Sequence, residues 1–356
     1  METIIRKTDP FRPDEEVIAQ GAKILQQGGL VAFPTETVYG LGGNGLDADA
    51  CRRIYAAKGR PSDNPLILHI SSLEELAGIV KEVSPAAKKI IDAFWPGPIT
   101  IIFPKAECVP YAATGGLETV AVRFPSHPTA QALIHAAGLP IAAPSANSSG
   151  KPSPTRASHV AHDLDGKIDM ILDGGSVEWG LESTIVDSTS DVVTILRPGA
   201  ITLEMLEKVV GQVAIDPAIT AKPPEGLVPK APGMKYTHYA PKADVTLVSG
   251  PKDAVIRKMN DLARQSMAEG KKTGLMSTDE TAPLLQADAV LSLGSETDYA
   301  AIGAKLFDTL RQFDALGMDV VFSQVFSEEG EGMAIMNRLR KSAGYKIIQA
   351  QDEKGE

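Results

Sequence analysis

Lys58 and Arg60 stand two apart around a glycine in the run Lys58-Gly59-Arg60-Pro61. Together they could clamp an anion, since lysine offers a compact charge and arginine a planar fork that grips a phosphate with two donors. Asn64, just beyond, could hydrogen-bond the same ligand. The competing reading is a solvated helix end, where cations suit the negative end of the dipole. A second polar run, Pro144-Ser145-Ala146-Asn147-Ser148-Ser149-Gly150-Lys151-Pro152-Ser153-Pro154, follows a short apolar segment. Its hydroxyls, amides and backbone N–H groups suit a ribose or phosphate oxygen, although Ser145 and Asn147 also fit an ordinary turn. Arg123 closes an apolar strand, and Arg197-Pro198-Gly199 repeats that placement. Such a cation either snorkels to water or holds a carboxylate. His69 ends another apolar strand, where a satisfied structural histidine is the alternative to a ligand contact.

Other chemistry is absent from the pattern. The six histidines are scattered, and His159 with His162 do not make the HExxH arrangement, so no protein-held metal site is indicated. Gly43-x-Gly45-x-x-Ala48 imitates a dinucleotide fingerprint, but a polar turn separates it from its strand. Gly150-Lys151 is followed by proline, which rules out a GxxxxGK[ST] phosphate loop. No Ser/His/Asp or Cys/His set stands out. The residues suit positioning and charge neutralisation rather than covalent catalysis.

The elements that must position them can be read from periodicity. An apolar strand over 30–33 runs into the polar turn Pro34-Thr35-Glu36-Thr37, then a Gly-rich bend, a short helix, the basic cluster, and a second strand ending at His69. Both polar loops are expected at one rim of a sheet, where open α/β folds bind ligands. Pro13-Asp14-Glu15-Glu16 opens a first helix stopped by Gly28-Gly29. Strands are expected over 99–103, 119–124, 140–143, 170–172, 183–186 and 192–196, with helices over 73–80, 85–94, 128–137 and 203–210. Uneven alternation of this kind predicts an α/β fold with a mixed, twisted sheet. From Ala243 onward regular βα alternation predicts a smaller parallel, three-layer α/β domain. The expected organisation is a catalytic domain over 1–212, a proline-rich linker or lid over 213–243, and a C-terminal domain over 244–356. The linker segment PGMKYTHYAP is dense in aromatic and hydrogen-bonding groups for a spacer.

With 356 residues, 43% hydrophobic and 22% charged, the chain is of ordinary globular composition and long enough for two domains. The formal net charge is −10, with 21 Lys+Arg against 27 Asp+Glu up to residue 240 and 14 against 18 after it. Neither half carries the basic excess that counterion release from nucleic acid normally needs, so tight nucleic-acid binding is not expected. Two cysteines, Cys51 and Cys108, no long apolar run and no signal-peptide core at METIIRKTDP lead to an expected cytoplasmic setting without a membrane.

Taken in order, PTETVYGL, KGRPSDNPLILHI, WPGPITII, VAVRFP, APSANSSGKPSPT, STIVD and ILRPG closely resemble the L-threonylcarbamoyladenylate synthase family, YrdC type. PGMKYTHYAP and the α/β module after it resemble the longer two-domain Sua branch. The resemblance implies a YrdC-like catalytic domain, a linker acting as a lid, and a Rossmann-like C-terminal domain. It implies condensation of L-threonine, bicarbonate or CO2 and ATP to threonylcarbamoyl-adenylate and pyrophosphate. That product would pass by hand-off to a threonylcarbamoyl-transfer enzyme that modifies adenosine 37 of tRNAs reading ANN codons. By the same resemblance Lys58, Arg60, Asn64, Thr119, Ser145, Asn147, Ser153, Arg197 and Tyr236 would contact ATP, with Lys58 and Arg60 catalytic. Thr37, His69, Arg123, Ala143 and Ser183 would hold threonine. Mg²⁺ is expected to arrive on the nucleotide phosphates, which need few protein ligands. The alternative is a double-stranded RNA-binding or regulatory module of the same fold, which the acidic charge disfavours. A related carbamoyl-transfer enzyme of the hydrogenase-maturation type would need zinc fingers that two cysteines cannot supply.

Overall fold

The computed structural model describes residues 2–221, 229–232 and 238–351. The chain divides into two compact units, residues 1–149 with 153–236, and residues 150–152 with 237–356. No helix among the described residues is long and apolar enough to cross a membrane.

The first unit holds strands β1 (Ile4–Lys7), β2 (Val31–Pro34), β3 (Tyr39–Asn44), β4 (Ile67–His69), β5 (Ile99–Pro104), β6 (Thr119–Arg123), β7 (Ile141–Ala142), β8 (Met170–Asp173), β9 (Thr184–Asp187), β10 (Val193–Arg197) and β11 (Val213–Ile215). Among the described residues they form one mixed sheet in the order β1-β8-β2-β3-β7-β4-β6-β5-β9-β10-β11. Helices α1 (Glu15–Gln26), α2 (Ala48–Lys58), α3 (Leu73–Ile79), α4 (Pro85–Phe94), α5 (Tyr111–Thr114), α6 (Pro128–Ala137), α7 (Ala157–Leu164) and α8 (Leu203–Val210) connect them. Ile18, Leu25, Leu133 and Ile134 from α1 and α6 pack on Val31, Phe33, Ile141 and Leu172 of the sheet. That apolar layer is the foundation on which the polar loops rest.

Local chemistry explains the element ends. Asp14 caps α1 by accepting from the N–H groups of Glu16 and Val17, so the helix starts after Pro13 rather than on it. Ser84 caps α4, with Pro85 in its first turn. Gly59 ends α2 at φ 63°, a left-handed conformation that favours glycine, and thereby turns the chain between Lys58 and Arg60.

The stretch read as a Gly-rich bend is instead the buried strand β3, paired with β2 and β7. Its glycines answer to close packing: a Cβ on Gly42 would stand 2.8 Å from both Ile141 and Phe33. Residues 213–215, placed in the linker from sequence, extend the sheet as β11 beside β10.

The second unit holds β12 (Asp244–Ser249), α9 (Lys252–Ala268), β13 (Thr273–Ser277), β14 (Ala289–Ser292), α10 (Tyr299–Ala315), β15 (Val320–Gln324), α11 (Gly332–Ser342) and β16 (Ile347–Gln349). Its strands form a parallel sheet in the order β14-β13-β15-β12-β16. This is the regular βα alternation expected from sequence, with β16 as an added edge strand too short and polar to stand out.

Candidate active site

The side chain of Lys58, in the last turn of α2, is buried rather than solvated. Its ammonium donates to the Ser145 carbonyl at 2.5 Å and the Asn147 carbonyl at 2.6 Å. Ser145 Oγ donates to Asn147 Oδ1 at 2.6 Å, Asn147 Nδ2 donates to the Ser148 carbonyl at 2.8 Å, and the Ser148 N–H reaches Asp163 on α7 at 3.1 Å. The loop after β7 is thus held to α2 by a buried cation. Hydrogen bonds with an ionised donor are roughly twice as strong as neutral ones. Arg60, beyond the Gly59 turn, donates to the carbonyls of Asn64 and Pro65. Asn64 Oδ1 is buried without a hydrogen-bond partner among the described residues.

A second cluster forms around Arg123 at the end of β6. Its guanidinium donates to Thr37 Oγ1 at 2.9 Å and lies 2.7 Å from Glu36 Oε1 in an ion pair buried on both sides. Neither atom of that ion pair meets hydrogen-bond geometry, so contact here is Coulombic, and Glu36 Oε2 and Arg123 Nε are also without partners among the described residues. In sheet order β3, β7 and β4 separate β2 from β6, so the loop leaving β2 reaches a strand well removed from its own. Strand register then lines up a row: His69 opposite Arg123, and Arg123 opposite Thr100. Thr100 Oγ1 hydrogen-bonds Ser183 Oγ at 2.8 Å, and Arg197 donates to the Ser183 carbonyl at 3.0 Å and its hydroxyl at 3.1 Å.

His69 is fully buried, and its Nδ1 lies 3.1 Å from the Ile67 carbonyl, an oxygen that can only accept. Burial first, then the charge of Arg123, pushes its pKa down to about 3, so the ring is neutral near pH 7. It can exchange hydrogen bonds with a substrate hydroxyl but does not carry positive charge there. Ala143, small and buried, donates its N–H to the Ile67 carbonyl beside this row.

The structure therefore places Thr37, His69, Arg123, Ala143 and Ser183 as neighbours, with Arg197 joined to them through Ser183. Lys58, Ser145 and Asn147 form one group, and Arg60 with Asn64 another. Ser153 is bonded to buried Glu182. Thr119 starts β6, four residues from Arg123, which is about 13 Å along a strand. Tyr236 lies outside the described residues. Sequence reading overlooked Glu36, Thr100 and Glu182 as participants. An acid flanked by threonines at a strand end is the one signal that could have found Glu36, whereas nothing distinguishes Thr100 from a strand residue.

Residues 23–199 match the Sua5/YciO/YrdC family, described as "Telomere recombination", and residues 201–344 match "Threonylcarbamoyl-AMP synthase, C-terminal domain". A Pyrococcus abyssi protein named threonylcarbamoyl-AMP synthase is 50% identical over 95% of this chain and 97% of its own. A Bacillus subtilis protein of the same name is 45% identical over 96% of this chain and 97% of its own. Among solved structures, the crystal structure of P. abyssi Sua5 complexed with L-threonine superposes with a TM-score of 0.93, at 49% identity over 98% of this chain and all of that one. Escherichia coli YciO matches with a TM-score of 0.52 at 27% identity, over 55% of this chain and 96% of its own. The chain belongs to the Sua5/YciO/YrdC family, in the form that carries the Sua5 C-terminal domain.

Proposed function

We propose that the chain condenses L-threonine, bicarbonate and ATP to threonylcarbamoyl-adenylate and pyrophosphate, for N6-threonylcarbamoylation of adenosine 37 in tRNA. The enzyme class is that of its relatives, named threonylcarbamoyl-AMP synthase along nearly their whole length. The observation that carries the substrate assignment is the row of Thr37, His69, Arg123 and Ser183. A buried guanidinium suits an amino-acid carboxylate, and the surrounding hydroxyls and neutral imidazole suit a side-chain hydroxyl. Ala143 leaves room for a methyl. Sites that hydrogen-bond a substrate hydroxyl reject analogues lacking it, because their buried partners would be left unpaired.

In this reading the threonine amine forms a carbamate with bicarbonate-derived carbon, and a carbamate oxygen attacks the α-phosphorus of ATP as pyrophosphate leaves. Two anions must approach, so cations near the phosphates lower the barrier. Lys58 fixes the Ser145–Asn147 loop against α2, and Arg60, Asn64, Thr119, Ser153, Arg197 and Tyr236 are the further proposed nucleotide contacts. Among the described residues no three acids, histidines or cysteines gather to hold a metal. Mg²⁺ is proposed to arrive on the nucleotide phosphates, where phosphates and water supply most of the shell. The ion would supply charge neutralisation there. The proposed setting is the cytoplasm, with the product handed to a threonylcarbamoyl-transfer enzyme.

The test is pyrophosphate release by the full chain with L-threonine, bicarbonate and MgATP, and with each left out in turn. Release should need all three together. Full-rate release with any one omitted refutes the scheme.

A further inference from the structure

Glu36 is the acid that the site's assigned residues leave unexplained. It is buried, its backbone carbonyl is held by the Trp179 N–H at 2.9 Å, and its carboxylate rests against Arg123. A buried carboxylate with no hydrogen bond at all is costly, because water once solvated both oxygens. Oε2 has no partner among the described residues, and neither does Arg123 Nε. Among the described residues both carboxylate oxygens of Glu36, and both Nε and Nη2 of Arg123, are thus buried without a hydrogen-bond partner and shielded from water. An α-amino acid zwitterion carries the complementary groups on a single carbon. Its carboxylate would meet the guanidinium, and its ammonium the carboxylate.

We propose that Glu36 binds the ammonium of the amino-acid substrate and takes the proton that must leave before the nitrogen can act as a nucleophile. This deepens the threonine reading above and rests on it. One N–H proton passes to Glu36 Oε2 and leaves a neutral amine. The amine lone pair then forms the N–C bond to the carbon of bicarbonate. The C–OH bond breaks, and the departing hydroxide takes the second amine proton as water. The products are the carbamate, water and protonated Glu36, so atoms and charge balance without another reactant.

The neighbouring groups support the role. The charged or titratable side chains facing Glu36 are Arg123 from β6 and His127, the residue that caps α6, with His69 of β4 behind Arg123. Burial holds both imidazoles below the ordinary histidine pKa. Neither adds a second fixed cation, and neither is a competing strong base.

The experiment uses the full chain as wild type, Glu36→Gln and Glu36→Asp. Binding of L-threonine and of its deaminated analogue 3-hydroxybutanoate is measured by calorimetry, and pyrophosphate release is followed from pH 6.5 to 9.5. Urea unfolding checks that each variant folds. Glu36→Gln should weaken L-threonine at least tenfold while leaving 3-hydroxybutanoate within about threefold, since the analogue has no ammonium to lose. Its kcat should fall by about 100- to 10,000-fold near neutrality, the range for a positioned base. That rate should climb about tenfold per pH unit as solution supplies the neutral amine, and Glu36→Asp should recover part of it. Equal losses for both ligands, or a pH profile parallel to wild type, overturn the proposal and leave Glu36 as a counter-ion that only supports Arg123. If wild type itself binds no L-threonine, the substrate reading fails first, and that result is distinct from either outcome for the variants.

Discussion

Replacing Lys58 by methionine keeps the length and apolar stem of the side chain and removes only the charge and its donors. In the native structure that ammonium satisfies two carbonyls, of Ser145 and Asn147, at 2.5 and 2.6 Å. Hydrogen bonds from a charged donor contribute about 1.5–3 kcal/mol each. Two of them give roughly 3–6 kcal/mol, which is offset in part because an apolar side chain is cheaper to bury than an ammonium. A net loss of about 2–4 kcal/mol is expected, short of the 5–15 kcal/mol that a folded domain typically holds. The variant should therefore fold, with a lowered urea midpoint and an unchanged m value. Its threonine- and bicarbonate-dependent pyrophosphate release should drop at least 100-fold, because the loop bearing Ser145 and Asn147 is no longer tied to α2. A variant within 0.5 kcal/mol of wild type and within threefold in rate would refute the clamp, since it would show that the loop holds its shape without the cation.

Arg123→Lys keeps the charge but cannot span Thr37 and Glu36 with one planar fork. It should raise the KM for L-threonine at least tenfold and lower stability by about 1–3 kcal/mol, read by steady-state kinetics and urea unfolding. His69, held near pKa 3 when folded, binds a proton near pH 6.5 when unfolded. Between those values the unfolded state carries the extra proton, so this contribution is complete above about pH 6.5 and is lost as pH falls toward 3. The slope is about 1.4 kcal/mol per pH unit, and His69→Gln should make the stability curve shallower across that window by about one proton. Gly199→Ala would put a Cβ 2.4 Å from the Thr184 nitrogen and 2.8 Å from the Glu182 carbonyl. It should cost about 1–3 kcal/mol and loosen the Arg197–Ser183 bonds, seen as a lower melting temperature with reduced activity.

The parts of the fold legible in sequence were those whose signal is local. Helix α6 lies between Pro128 and its Gly138 stop, and α11 runs over Gly332–Ser342, as expected from spacing alone. β3 was not legible, because Gly40, Gly42 and Gly43 read as a bend to any local rule. They are glycines in a strand because of the side chains that pack on them in the fold, such as Ile141, far along the chain, against Gly42. β1 and β16 were missed for a similar reason: each is short, carries polar residues, and owes its strand state to the neighbour it pairs with.

The same distinction separates the two halves of the candidate site. Residue types at Lys58, Arg123 and Ser145 announce binding chemistry, but their partners are set by sheet order. A basic pair around Gly59 reads as one clamp, yet the left-handed turn sends Lys58 to the Ser145–Asn147 loop and Arg60 to Asn64 and Pro65. In the other cluster, Glu36 sits in a turn and Arg123 at a distant strand end, with nothing in their spacing to pair them. Only the order β2-β3-β7-β4-β6 and the reach of the loop after β2 bring them together. That is why the arginine could be proposed from sequence as a carboxylate holder, while the acid beside it, marked locally only by its place between two threonines, was not paired with it. A site assembled from one local clamp and one long-range ion pair should respond differently to mutation in its two halves. Changes at Lys58 should disturb a loop, whereas removing the charge of Arg123 or Glu36 outright should leave an opposite charge buried and uncompensated, which is the costlier defect.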